Sequence, residues 1–129
     1  MSSNYKIVET EEVYEPIGPF SQAVIAGGFI FTAGIGGLEP ETCRVPSNDV
    51  EEQTIQCMEN VKNVLKAAGA ELQDVIKAVI YLVNMDDYGK VNEIYARYMG
   101  EHRPARCCVT VKELPANELM KIEAIAIRK

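Results

Sequence analysis

The chain has 129 residues, 47% of them hydrophobic, which suits one domain with a real core and is too apolar for a disordered segment. Thirteen Lys and Arg against 19 Asp and Glu leave a net charge of −6, which argues against nucleic acid or an anionic membrane as partner, because both select clustered cations. No apolar run approaches the ~20 residues needed to cross a bilayer, and the polar start, Met1-Ser2-Ser3-Asn4-Tyr5-Lys6, lacks the basic-then-apolar build of a secretory signal, so a single cytoplasmic domain over residues 1–129 is expected.

The elements follow in order. Val24-Ile25-Ala26 and Phe29-Ile30-Phe31-Thr32 flank Gly27-Gly28, the signature of a β-hairpin with a two-residue turn. Gly34, Gly36, Gly37 and Pro40 mark a loop; without a Lys-Ser/Thr pair after it, Gly34-Ile35-Gly36-Gly37 is no phosphate loop, and it can line a cleft. A helix then opens, with Asn48 as its cap and Glu51 three positions on. Its buried stripe reads Ile55, Met58, Val61, Leu65 and Ala68, and Gly69 stops it. Residues 75–83 are apolar on both alternating faces and rich in β-branched side chains, as in a central strand. Asp86 and Asp87 open a second helix with the stripe Tyr88, Val91, Tyr95 and Tyr98, ending at Gly100. His102 and Arg103 read as solvated surface. A strand over 106–112, a turn at Leu114-Pro115-Ala116-Asn117 and a last strand over 120–128 complete the chain.

This order predicts an α+β sandwich, a mixed sheet with two helices on one face. Alternation puts Lys121, Glu123, Ile125 and Ile127 on one side of the last strand and Met120, Ile122, Ala124 and Ala126 on the other. Both sides are largely apolar while the helices cover only one, so a second copy is expected against the other face.

Chemistry has few candidates. Cys43, Cys57, Cys107 and Cys108 lack regular spacing, a bridge between neighbours would be strained, and His102 is the only histidine. A disulfide framework, a zinc site and a histidine triad are therefore not expected. Catalysis must rest on Arg, Lys, carboxylates, backbone groups or water.

Ile17-Gly18-Pro19-Phe20-Ser21-Gln22-Ala23, Val91-Asn92-Glu93-Ile94-Tyr95, and Pro104-Ala105-Arg106 followed by Leu114-Pro115 and Ile122-Glu123-Ala124-Ile125-Ala126 together resemble the signature segments of the YjgF/RidA family. The likeness runs from Ile17 to Arg128, with the same element order. It implies a chorismate-mutase-like sandwich assembled as a homotrimer with ligand clefts between subunits. It further implies hydrolysis of 2-imino acids, such as 2-iminobutanoate and 2-iminopropanoate released by pyridoxal-phosphate dehydratases, to 2-keto acids and ammonia. No metal and no organic cofactor is implied.

The resemblance places Arg106 and Cys108 at the catalytic centre, and Arg106, Phe20, Gly34, Ile35, Asn92 and Lys121 around the substrate. For Arg106 the residue chemistry agrees, because a guanidinium offers a planar fork that matches a carboxylate with two parallel hydrogen bonds. Taken without the resemblance, an ion pair with Glu123 on a neighbouring strand is the plainer reading. Cys108 lies two residues on, on the same face; its carbonyl would help to place ligand or water, and its thiol reads as a small hydrophobe.

Three positions depart from the family pattern. Phe20 stands where Tyr is common, Ala33-Gly34-Ile35 where Ser-Gly-Gln is common, and Lys121 where the deaminating members carry Glu. Lys121 either pairs with Glu123 or adds a second cation for an anionic ligand. Two further classes follow: a non-catalytic binder of small carboxylates, and an RNA-acting or translation-inhibiting member, against which the charge of −6 weighs.

Overall fold

The hairpin turn forms as its glycines require: Gly27 and Gly28 both take left-handed φ, 56° and 82°, the backbone of a tight turn that matches strand twist. In this computed structural model, which describes residues 4–128, the turn joins β2 (Ala23–Ala26) to β3 (Phe29–Thr32). Met1 to Ser3 of the polar start, and Lys129, lie outside the described residues.

Two strands are additions to the expected set. β1 (Tyr5–Val8) pairs antiparallel with β2 at the edge of the sheet, where only Val8 is buried, so no apolar pattern announces it. The glycine-rich segment read as a loop contains β4 (Ile35–Gly36), which pairs with the last strand through Ile35 opposite Ile122. Two residues are too few to show a period, which is why the sequence reads as loop there. Between β3 and β4 the ladder is bridged by a side chain: Thr32 Oγ1 accepts from Ala124 N at 2.9 Å.

The first helix, α1 (Val50–Ala67), starts one residue later than Asn48 would place it. Asp49 is the cap, its carboxylate accepting from the backbone N–H groups of Glu51 and Glu52. Its buried face holds Cys57, Met58, Val61, Val64 and Leu65, whereas Ile55 is 43% exposed and does not belong to it. The stop at Gly69, with φ of 86°, is as expected.

β5 (Val75–Leu82) is central, between the last strand and its parallel neighbour. A bulge at Ile76 resets its register, after which Ala78, Ile80 and Leu82 are buried while Val79 and Tyr81 stay half-exposed. In a single chain only one of its faces is covered.

A 3₁₀ turn at Met85–Asp87, capped by Asn84, leads into α2 (Tyr88–Met99). The Asp87 side chain makes no capping bond, so the acidic pair does not open the helix as expected. Val91, Ile94, Tyr95 and Met99 face inward; Tyr88 is exposed and Tyr98 half-buried, its hydroxyl donating to Glu59 at 2.7 Å. His102 is not free surface, since its Nε2 lies 2.6 Å from the Val75 carbonyl oxygen. β6 (Ala105–Thr110) and β7 (Met120–Ile127) end earlier than expected, and Ala116 and Asn117 turn between them with positive φ.

The sheet runs β1-β2-β3-β7-β5-β6, with β4 also on β7; only β5 and β6 are parallel, joined by α2 as a crossover. Met120, Ile122, Ala124 and Ala126 of β7 pack under the helices with Ile30, Ile80 and Leu82. The opposite face is open and apolar, with Ile7, Phe29, Phe31, Val109 and Ile127 all at least 40% exposed. Among the described residues no helix is long and apolar enough to cross a membrane.

Replacing Ile122, 2% exposed, by Ala is expected to cost about 2–5 kcal/mol in urea unfolding, the range for a deleted core side chain. Ile55→Ala, on the exposed side of α1, is expected to change stability by less than about 0.5 kcal/mol.

Candidate carboxylate-binding site

Arg106 sits on β6, the edge strand, in register with Ala78 and therefore on the face that carries the helices. There it meets α2. Its guanidinium carbon lies 5.0 Å from the Tyr95 ring centroid and 5.8 Å from that of Tyr88, and its Nη2 donates to the Tyr88 hydroxyl at 3.2 Å. Two aromatic faces thus hold the cation without neutralising it. No carboxylate forms an ion pair with it among the described residues, and the alternative partner, Glu123, lies on the other face, accepting from the Tyr81 hydroxyl.

Arg106 opens onto a hollow of about 260 Å³ lined also by Asn92, Tyr95, Ala96, Arg103 and Pro104. Two of these residues carry buried polar atoms with no hydrogen-bond partner: Asn92 Oδ1 and the Tyr95 hydroxyl. An unsatisfied buried group costs ~1–3 kcal/mol, and two beside one unpaired guanidinium form a set awaiting a polar partner. Burial raises the pKa of Tyr95 from its ordinary value, with Arg106 and Arg103 opposing, so its hydroxyl stays a donor.

Cys108 shares the helix face, in register with Ile80, and is half-buried. Burial pushes its thiol pKa up, with Arg106 pulling it down less, so the thiol is not an activated nucleophile.

The remaining predicted residues lie elsewhere. Lys121 is in register with Tyr81 on β5 and Gly36 on β4, so it leaves the sheet on the open face, with β5 between it and β6. It does not pair with Glu123. Its Nζ lies 3.3 Å from Oε1 of Glu118, a residue the sequence reading did not single out. Gly34 lies beneath the lysine: a Cβ there would come within 2.8 Å of Lys121 Cδ. Ile35 is 2% exposed, its side chain in the core and its carbonyl accepting from the Cys57 thiol at 3.1 Å, so only its backbone can face a ligand. Phe20 is exposed and lines a different, larger hollow of about 770 Å³ with acidic neighbours Glu9, Glu11, Glu15 and Glu41.

One chain therefore gathers Arg106, Asn92 and Cys108 at one edge, and Gly34 and Lys121 on the other face. Reading Tyr88 and Tyr95 as core hid their part. Their i, i+7 spacing puts them on one side of α2, but only the crossover from β5 to β6 shows that this side meets Arg106.

A mixed sheet with both helices on one face and an unpaired arginine at the helix–strand edge defines a small α+β protein suited to holding an anionic group. Comparison with known proteins makes this specific: the chain belongs to the YjgF/RidA family, and the family model described as Endoribonuclease L-PSP matches residues 10–128. A RutC family protein of Pyrococcus horikoshii is 47% identical over 96% of this chain and 98% of its own length. The crystal structure of a putative endoribonuclease from Thermotoga maritima, 43% identical, matches with a TM-score of 0.92 over 96% of this chain and 98% of that one. TdcF of Escherichia coli, named a putative reactive intermediate deaminase, is 38% identical over 95% of this chain and 97% of its own. Its structure with bound serine matches with a TM-score of 0.90 over 96% of this chain and 99% of that one.

Gly36 is moulded to Glu118, whose Oε2 occupies the space a Cβ would need. Gly36→Ala is expected to cost about 1–3 kcal/mol in thermal or urea unfolding through overpacking. Adding Glu118→Ala to Gly36→Ala should recover most of that loss, giving a coupling of about 0.5–3 kcal/mol in a double-mutant cycle.

Proposed function

We propose that this protein hydrolyses 2-imino acids, such as 2-iminobutanoate and 2-iminopropanoate, to 2-keto acids and ammonia, in the cytoplasm and as a homotrimer. One observation carries the reading: Arg106 is unpaired and aromatic-walled, and its hollow is lined by Asn92 and Tyr95, whose buried Oδ1 and hydroxyl lack hydrogen-bond partners. The names of TdcF and of the chloroplastic Reactive Intermediate Deaminase A of Arabidopsis thaliana, 42% identical over 94% of this chain and 65% of its own length, support it, as does the serine bound to TdcF, a small α-amino acid.

In this reading the guanidinium grips the substrate carboxylate with two parallel N–H···O bonds, which fixes the adjacent C2. Water then adds to C2 and the imine nitrogen takes up a proton. The resulting carbinolamine expels ammonia to leave the keto acid. Holding the imine against a placed water supplies mainly orientation. Asn92 Oδ1 is an acceptor for the imine N–H or the water, and the Tyr95 hydroxyl is a donor.

Two features support assembly with further copies. The open sheet face carries Phe31, Ile127, Ile7 and Val109, and each such side chain gains ~1.5–3 kcal/mol on full burial. A neighbouring copy on that face would also bring its own Arg106 hollow toward Gly34 and Lys121, joining what one chain keeps apart.

A second reading, a binder of small carboxylates without turnover, is favoured by Lys121 standing in place of Glu. RNA is disfavoured by the charge of −6.

Purified protein added to a threonine dehydratase reaction is expected to speed release of 2-ketobutyrate. Arg106→Ala should lower that acceleration about 100-fold or more, and Arg106→Lys should recover only part of it, because the fork is lost while the charge stays. No acceleration, with 2-ketobutyrate still binding in calorimetry, would establish the binder instead. Phe31→Asp is expected to give monomers by light scattering and to abolish turnover, since it puts a charge into the apolar face.

A further inference from the structure

The surroundings of Lys121 are unlike those of a surface lysine. Its side chain is 16% exposed, and Glu118, 3.3 Å from its Nζ, has a side chain with no exposure at all. Neither Glu118 oxygen accepts a hydrogen bond of ordinary geometry. A buried carboxylate is usually held by backbone N–H groups or an arginine; here the lysine is the paired cation.

Space for this pair is built into the backbone. Gly34 and Gly36 both lack positive φ, so glycine is not needed there for conformation. It is needed for room, since Lys121 lies over Gly34 and Glu118 over Gly36. Glu118 in turn acts on the Tyr14 hydroxyl, which accepts from Gly36 N at 2.8 Å, and on the Cys57 thiol. Burial pushes both pKa values up, so both remain neutral and neither helps to hold a negative charge. Burial likewise raises the Glu118 carboxyl pKa, outweighing the pull of Lys121. In such a setting the Glu118 carboxyl, 3.3 Å from the Lys121 amine nitrogen, is placed to exchange a proton with it.

We propose that Lys121 is a Schiff-base-forming lysine for 2-oxo and 2-imino acids, with buried Glu118 as the group that takes and returns its proton. The proposal rests on the reading above that the cleft admits such acids. The Lys121 ammonium passes a proton to Glu118, and the freed amine adds to C2, forming a C–N bond while the C2=O or C2=NH electrons move to the heteroatom. The added nitrogen releases a proton to that heteroatom. The Glu118 carboxyl then protonates the leaving group, water from an oxo acid or ammonia from an imino acid, and the protonated Schiff base remains beside the carboxylate. Hydrolysis of that Schiff base runs the oxo-acid sequence backwards, so imino acid plus water becomes oxo acid plus ammonia with no oxidant or reductant. Lys121 would in this way act by covalent catalysis.

The test is reductive trapping on the full chain with pyruvate and sodium cyanoborohydride at pH 7, read by intact mass and peptide mapping. The expected result is one adduct per chain on Lys121, heavier by one pyruvate less one oxygen atom, and absent without pyruvate. Glu118→Gln, checked for folding by its melting temperature, should cut the yield at least about tenfold and change the shape of the pH dependence of trapping, because the carboxyl that takes and returns the proton is gone. No adduct, or one spread over other lysines while Lys121 stays unmodified, overturns the proposal. Equal yield and pH dependence in Glu118→Gln overturns the role given to Glu118. Imine hydrolysis without an adduct would leave the deaminase standing and remove the Schiff base; an adduct without hydrolysis would do the reverse.

Discussion

The strict two-residue alternation of β7 organises the molecule. This strand is hydrogen-bonded on one edge to β5 and on the other to β3 and then β4, so it cannot slip. Met120, Ile122, Ala124 and Ala126 are thereby committed to the helix-covered core. A slip of one residue would drive Lys121 and Glu123 into it instead. The same alternation, carried across β5 to β6, sends Arg106 to the helix side and Lys121 to the open side. The division of the candidate site into two groups is thus a consequence of sheet geometry, and it makes an open apolar face and an incomplete site two aspects of one arrangement.

Buried polar side chains separate into those that hold the fold together and those that await something. Gln22 joins the N-terminal segment to the sheet, accepting from Thr10 N at 2.8 Å and donating to the Thr10 and Tyr14 carbonyls. Asn60 on α1 donates to the carbonyls of Gly36 and Leu38, both at 2.9 Å, and Gln53 accepts from Leu119 N at 2.8 Å. These amides satisfy backbone where ladder pairing ends. Asn92 Oδ1 and the Tyr95 hydroxyl are the contrast, buried without hydrogen-bond partners, while the Glu118 carboxylate is held only by the Lys121 ammonium. They fall beside Arg106 and Lys121, the two cations that the candidate site places apart.

The segment 34–36 and the start of β7 acquire a physical sense in this light. Lys121 supplies a cation, and the neighbouring Glu118 makes the pair neutral overall. The glycines of the segment 34–36 are matched to that pair through the space they leave rather than through the backbone angles they permit. A reading that treats each position singly sees a lone lysine and a flexible loop. The structure shows a coupled set of four residues.

Much of the architecture was legible in the chain because it rests on local periodicity and turn chemistry: the Gly27-Gly28 hairpin, the extent of α1 to Gly69, the central place of β5 and the two faces of β7. The resemblance of three segments named the family, and residue chemistry alone marked Arg106 as a carboxylate fork. Tertiary structure decided what depends on contacts distant in sequence. β4 was invisible because a two-residue strand has no period, and its partner lies more than 80 residues away. Tyr88 and Tyr95 became walls for Arg106 through the crossover, and Lys121 met Glu118 of the preceding turn while Glu123 accepts from the Tyr81 hydroxyl. A strand's period tells which face a side chain takes, and only packing in three dimensions tells what waits there.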